Sequence, residues 1–106
     1  FPYTTLFRSL TVSHGHDTEP DWSPDGGGIV FISTRDGRQS VYIMNSDGTD
    51  AHAISGSTEL NSNPDWSQDG ARIISQSYRA GLRGIDMINV DGTGLRRLTD
   101  HSVLEE

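Results

Sequence analysis

The chain has 106 residues, and its 15 Asp and Glu against 8 Lys and Arg give a formal net charge of -7 at pH 7. All 8 cations are arginines without a basic cluster, which argues against a nucleic-acid partner because phosphate contacts require clustered positive charge. Cysteine is absent, so disulfides, thiolate nucleophiles and cysteine-ligated zinc are excluded from these residues. No apolar run approaches the ~18 residues of a membrane helix, and we therefore expect no membrane insertion.

A repeat with a period of 44 residues organises the sequence. The segment EPDWSPDG at 19–26 returns as NPDWSQDG at 63–70. Without a gap, 14 of 40 positions are identical between 19–58 and 63–102. Similarity at such a fixed period indicates a repeat architecture in which each unit is one supersecondary motif.

The repeat divides the chain into two whole units, 12–55 and 56–99. Residues 1–11 then hold an artefactual N-terminus and the outer strand of a preceding unit, and residues 100–106 form a tail that leads to a further unit. The first nine residues, FPYTTLFRS, resemble the frame translation of a common sequencing adapter. We therefore expect the native N-terminus to be missing.

Each unit contains the turn and strand signals that are typical of β structure. Asp-Gly dipeptides separate short runs rich in β-branched and aromatic residues, and Asp-Gly favours tight hairpin turns because both residues tolerate positive φ. We predict four strands per unit: 19–23, 28–33, 40–45 and 51–55 in the first, and 63–67, 71–77, 84–89 and 95–99 in the second.

The middle strands of the first unit are continuous apolar runs, at 29–32 and 41–44. Such runs require cover on both faces, and four antiparallel strands in ~40–45 residues is the period of a propeller blade. We predict an all-β fold made of two four-stranded antiparallel blades of an incomplete β-propeller. Because two blades leave faces uncovered, we also expect self-association of the exposed blade faces.

The two blade sequences resemble the TolB-type, WD-repeat-like β-propeller family. The family's blades read L-T, a spacer, P-x-W-S-P-D-G, an apolar strand, S-x-R-D-G, I-Y-x-M-N and D-G-T, and the first unit matches this pattern nearly throughout. The resemblance covers residues 10–102. The second unit departs from the pattern at Gln68, Ser75, Gln76 and Asp86.

The resemblance carries expectations about function. The family includes the periplasmic TolB component of the Tol-Pal cell-envelope system, which implies a periplasmic, non-enzymatic protein-interaction scaffold with a protein or peptide partner. Similar blades occur in the gating propellers of prolyl-oligopeptidase-type and tricorn-type serine peptidases, so a part of such a propeller is an alternative. A fragment with no autonomous function is a further alternative.

The first strand of each blade supplies the candidate binding residues. In propellers of this family that strand is innermost, and alternation along it directs its acidic side chains away from the Pro and Trp side chains. An acidic rim would attract a basic or peptide partner by electrostatic complementarity. The predicted partner-binding residues are Asp17, Glu19, Asp21, Asn61, Asn63 and Asp65.

Metal and catalytic sites are weaker interpretations of the same sequence. His14, His16 and Asp17 have side chains that suit zinc, but the second unit lacks equivalents, so an exposed polar loop explains them better. Aspartates in Asp-Gly turns usually accept local backbone N–H groups rather than calcium. No G-x-S-x-G motif is present, and we predict no metal, no cofactor and no catalytic residue.

Trp22 and Trp66 occupy the same repeat position. A tryptophan repeated in this way is expected to pack between neighbouring sheets rather than to stack on a ligand. Phe31, Ile32 and Tyr42 would surround the first tryptophan, where the second unit offers Ser75, Gln76 and Asp86. Trp22→Ala is therefore expected to cost more stability than Trp66→Ala in the parent protein.

Overall fold

The computed structural model describes residues 10, 15–54, 60–79 and 81–99 and contains two four-stranded antiparallel sheets. The predicted all-β fold is confirmed, whereas the N-terminal segment 1–9 and the tail 100–106 lie outside the described residues. Within the described part of the chain, no helix is long and apolar enough to cross a membrane.

The strands of each sheet follow one another in chain order. The first sheet has the order β1 (Asp17–Trp22), β2 (Gly28–Ser33), β3 (Ser40–Asn45), β4 (His52–Ala53). The second sheet has the order β5 (Leu60–Trp66), β6 (Arg72–Arg79), β7 (Leu82–Asn89), β8 (Arg96–Arg97).

The turn between the first two strands of each sheet is built by an aspartate. Oδ1 of Asp25 accepts hydrogen bonds from the hydroxyl of Ser23 at 2.6 Å and from the N–H of Gly27 at 2.9 Å. These two bonds hold the pKa of Asp25 below 3.8, with the serine hydroxyl as the larger cause. Gly26 has a φ of 76°, which glycine adopts without steric cost. The second sheet repeats the arrangement around Asp69.

The hydrophobic core lies between the two sheets. Alternate residues of β2 and β3 form the back face of the first sheet, and this face packs on the front face of the second sheet. The back face of the first sheet consists of Val30, Ile32, Val41 and Ile43, and the front face of the second sheet carries Trp66, Ile73 and Ile88.

The front face of the first sheet carries a second apolar cluster. Phe31 and Tyr42 are buried there, and the guanidinium of Arg35 lies 5.6 Å and 4.9 Å from the two ring centroids. Trp22 lies on this face and is 59% exposed, so its packing between two neighbouring sheets stays a prediction. Ile32, which the sequence analysis places around Trp22, lies on the back face instead, because side chains alternate along β2. Within the described residues no other sheet packs on the front face, whereas Trp66 is covered because its face packs on the first sheet.

The departures of the second unit from the repeat pattern build a buried ion pair. Asp86 replaces Tyr42 and is 4% exposed, and its Oδ1 lies 2.6 Å from Nε of Arg97, its cross-strand neighbour. In the first sheet the corresponding cross-strand pair is Tyr42 and Ala53. A Cβ at Gly84 would lie 2.6 Å from the Arg97 guanidinium, so the missing side chain makes room for this arginine. The three changed positions therefore work together.

Candidate functional site

The first strands of the two sheets, β1 and β5, lie side by side at one edge of the two-sheet stack. We call this edge the inner edge, after the position expected for it in a propeller. Each of the two strands has an irregular register against its neighbouring strand, between Thr18 and Asp21 and between Ser62 and Asp65. Irregularities of this kind redirect side chains. Within each of them one residue has a left-handed backbone, with a φ of 56° at Glu19 and, at the equivalent repeat position, 50° at residue 63.

Two predicted binding residues connect the sheets. Oδ2 of Asp21 accepts a hydrogen bond of 3.0 Å from the backbone N–H of Trp66. Oε1 of Glu19 accepts one from the backbone N–H of Asn63. Since β5 is an edge strand, its outward N–H groups would otherwise be available for pairing with another chain. Glu19 and Asp21 therefore satisfy the edge of the neighbouring sheet.

The equivalent positions of the second sheet, Asn63 and Asp65, are exposed at the same inner edge. A hydrogen bond with the Asp21 carboxyl is the main cause that raises the pKa of Asp65 above 3.8, and burial and Coulomb repulsion by Asp21 act in the same direction. The two carboxyl groups therefore lie close enough to interact, and a nearby positive charge would favour their ionised forms. The inner edge thus presents an acidic pair.

The other two predicted binding residues have different partners within the chain. Asp17 forms an ion pair with Arg35 at 3.2 Å. Asn61 is 4% exposed, and its backbone N–H and its Nδ2 donate to the carbonyl oxygen of Gln39 at 2.9 and 3.1 Å. Nε2 of Gln39 donates back to the Asn61 carbonyl oxygen at 3.2 Å. The structure therefore brings four of the six predicted residues together at the inner edge.

Sequence reasoning missed Gln39, which joins the turn after β2 to β5. The repeat gives no signal for it, because the equivalent position 83 is an arginine. Its role depends on the packing of one sheet against the next, which neither unit specifies alone.

The histidines considered as metal ligands are only partly described. His16 is exposed and its backbone N–H donates to Oγ1 of Thr34 at 2.8 Å, and His14 lies outside the described residues. Among residues 10, 15–54, 60–79 and 81–99, no group of three or more His, Asp or Glu side chains could hold a metal ion.

Sequence comparison decides the family. The profile of the TolB beta propeller domain matches residues 3–106. The chain belongs to this family. It is similar to the Tol-Pal system protein TolB of Bordetella pertussis, with 48% identity over 44 residues, which are 42% of this chain and 10% of that protein. The Protein TolB homolog of Chlorobium luteolum is 44% identical over 43 residues, 41% of this chain and 10% of that protein. The TolB-family chain thus spans about a tenth of the length of these curated relatives.

Solved structures agree with the TolB-type assignment. The putative TolB from Agrobacterium tumefaciens superposes with a TM-score of 0.78 at 28% identity, over 86% of this chain and 36% of that chain. A puromycin hydrolase mutant complexed with PGG superposes with a TM-score of 0.74 over 92% of this chain and 16% of that chain. At 20% identity, the second likeness concerns the fold alone. The predicted resemblance to TolB-type propellers is therefore confirmed.

Proposed function

We propose that this TolB-like propeller fragment belongs to a protein-interaction scaffold of the bacterial cell envelope, located in the periplasm and without enzymatic activity. The Bordetella relatives are named Tol-Pal system protein TolB, which supports a partner from that system. The inner edge is the surface that meets the partner, a protein or peptide.

The acidic pair of Asp21 and Asp65 carries this proposal. Glu19 and Asp21 show what carboxylates at these repeat positions do, since they accept backbone N–H groups of an adjacent extended strand. Asn63 and Asp65 present the same positions of the second sheet on the surface. A basic peptide segment in extended conformation would supply both the N–H donors and the positive charge.

The serine peptidase alternative gains no comparable support. In the described turns the hydroxyls of Ser23 and Ser67 donate to aspartates two residues later, both at 2.6 Å, and these bonds give the serines a turn-forming role. The likeness to the puromycin hydrolase is one of fold.

Photo-cross-linking tests the proposed scaffold role. A photo-reactive residue replaces Asn63 at the inner edge, or Arg38 in the exposed turn after β2 as the matched control. The full chain is produced in the periplasm of a Gram-negative host, and cross-linked proteins are identified by mass spectrometry. Thermal melting of both variants verifies that they fold alike.

The expected result is a cross-link from position 63 to a protein of the Tol-Pal system, weakened by Asp65→Ala and by added salt because charge complementarity is screened. Equal yields from positions 38 and 63, or a yield that ignores Asp65→Ala, would contradict the proposal. The absence of any partner at position 63 would favour a fragment without autonomous function.

A further inference from the structure

The β6–β7 hairpin of the second sheet is longer than its counterpart in the first sheet, although the two units have the same number of residues. Pairing of β2 with β3 ends at Ser33 and Ser40, which leaves a loop of residues 34–39. Pairing of β6 with β7 continues to Arg79 and Leu82. The ladder of the second hairpin therefore extends further by two residue pairs, about 7 Å of strand.

One aspartate explains the difference. In the first unit, Oδ1 of Asp36 accepts a hydrogen bond from the N–H of Arg38 at 3.1 Å, and its Oδ2 accepts one from the hydroxyl of Ser40 at 3.0 Å. These bonds fold the loop into a compact turn. The equivalent positions of the second unit are Ala80 and Gly84, which have neither the carboxylate nor the hydroxyl, so the two strands continue to pair.

The extension carries apolar side chains into solvent. Tyr78 and Leu82 are 46% and 47% exposed. They replace Thr34 and Arg38 of the first unit. Leu60, the cross-strand neighbour of Tyr78 in β5, is 51% exposed. Because the Cβ atoms of such neighbours lie about 5 Å apart, Leu60 and Tyr78 form one continuous apolar surface at the end of the hairpin.

Packing of one blade on the next leaves this end of the hairpin accessible. The back face of the first sheet is covered by the second sheet, and yet His16 is exposed and Thr34 is only half-buried there. These two residues are the repeat equivalents of Leu60 and Tyr78. Alternation along β7 places Leu82 on the side of the second sheet that already faces the first sheet, and Leu82 is exposed all the same. A further blade would therefore not bury this surface.

The end of the hairpin is positively charged, although the chain as a whole is acidic. Residues 78–83 include two arginines and no acidic residue, whereas the formal net charge of the chain is -7. Arg83 is exposed, and among the described residues no carboxylate forms an ion pair with it. It is the cross-strand neighbour of Tyr78, so its charge borders the apolar surface. A complementary partner would present carboxylates beside apolar side chains.

We propose that the hairpin tip, formed by Leu60, Tyr78, Leu82 and Arg83, is an interaction surface for a protein segment that combines acidic with aromatic or aliphatic side chains. Tyrosine and arginine are among the residues that contribute most binding energy at interfaces. An anionic membrane is a poorer match, because the net charge of -7 opposes its approach. The hairpin tip differs in charge from the inner edge, and this proposal does not depend on the function proposed for that edge.

Selection from a random peptide library on the immobilised full chain tests the proposal without knowledge of the natural partner. Enriched peptides are synthesised with a fluorophore, and their dissociation constants are measured by anisotropy at low and high salt. The test variant, Tyr78→Thr with Leu82→Arg, has the residues of the first unit at these positions. Leu95→Ser is the matched control, because Leu95 is 41% exposed outside the hairpin. Thermal melting verifies that each variant folds like the wild type.

The expected peptides contain Asp or Glu together with aromatic or aliphatic residues. The variant with Tyr78→Thr and Leu82→Arg should bind them roughly tenfold more weakly, and Leu95→Ser should bind them like the wild type. Arg83→Gln, again the residue of the first unit, should weaken binding about threefold and remove most of its dependence on salt.

Several outcomes would overturn the proposal. These are the absence of any enriched peptide, enriched peptides without acidic residues, affinities that the hairpin variant leaves unchanged, and an equal loss from Leu95→Ser. Vesicles of phosphatidylglycerol provide a further test. If the chain sediments with these vesicles and Leu82→Arg prevents it, the hairpin tip belongs to a membrane contact and the proposed protein partner is wrong.

Discussion

The carboxylate of Asp21 accepts a hydrogen bond from the backbone N–H of Trp66, although the two residues are 45 positions apart in the chain. The contact joins the first strands of two neighbouring sheets. It gives an edge-strand donor a charged acceptor, and hydrogen bonds to charged groups are among the stronger ones. A residue that sequence analysis assigns to partner binding thus also holds the blades together.

Removal of this acceptor is expected to destabilise the chain. Asp21→Ala leaves the partly buried Trp66 N–H without the carboxylate, at a cost of about 1–3 kcal/mol, measured by urea unfolding. Asp65→Ala is the matched control, because it removes the same side chain from the equivalent position of the second sheet and relieves repulsion. Equal losses for the two variants would contradict the role of Asp21.

Titration of the Asp65 carboxyl should change the stability of the fold with pH in the opposite direction to titration of the aspartates in the Asp-Gly turns. The hydrogen bond with Asp21 raises the pKa of Asp65 above 3.8, so its stability contribution is fully present below 3.8 and is lost as pH rises through the folded-state pKa. Asp65→Asn should therefore raise the melting temperature at pH 7, and the difference from wild type should shrink towards pH 3.

Asp91 provides a control in which the pKa is shifted in the opposite direction. Hydrogen bonds from the hydroxyl and the N–H of Thr93 hold the pKa of Asp91 below 3.8, so its contribution is present above 3.8 and is lost as pH falls through the folded-state pKa. Asp91→Asn should lower the melting temperature at pH 7 and have a smaller effect near pH 3. If both variants change stability in the same direction at pH 7, the assigned pKa directions are wrong.

The two tryptophans should differ in their contribution to stability. Trp66 packs against the core between the sheets, and its truncation to alanine should cost about 3 kcal/mol. Trp22 is 59% exposed, and Trp22→Ala should change stability by no more than about 0.5 kcal/mol. Chemical denaturation of both variants of this chain measures the order, whereas the opposite order expected from sequence concerns the parent protein.

Removal of one partner from the ion pair of Asp86 and Arg97 should lower the stability of the fold. Asp86→Ala leaves the Arg97 guanidinium without its carboxylate partner. Because the Arg97 side chain is only 18% exposed, this loss should lower the free energy of unfolding by about 3 kcal/mol. The combined change Asp86→Tyr, Arg97→Ala and Gly84→Ser introduces the residues of the first sheet and should cost less than Asp86→Ala. A larger loss for the combined variant would mean that the three positions are not coupled.

The sequence determined the features that depend on short segments. The 44-residue period, the strands and the Asp-Gly turns were predictable because each turn is closed by residues only a few positions apart, such as Ser23, Asp25 and Gly28. The family followed from the same repeated motifs, which the TolB profile matches over residues 3–106.

The candidate site was only partly predictable, because its contacts join residues that are far apart in the chain. Bulges redirect Glu19 and Asp21 towards N–H groups of the next sheet, and the side chain of Asn61 turns inward to Gln39. Only the tertiary structure decided these contacts, and it also decided which of two equivalent tryptophans is half-buried against the core between the sheets. Each depends on which face of one sheet meets the next, and the motifs that the two units share cannot encode that difference by themselves.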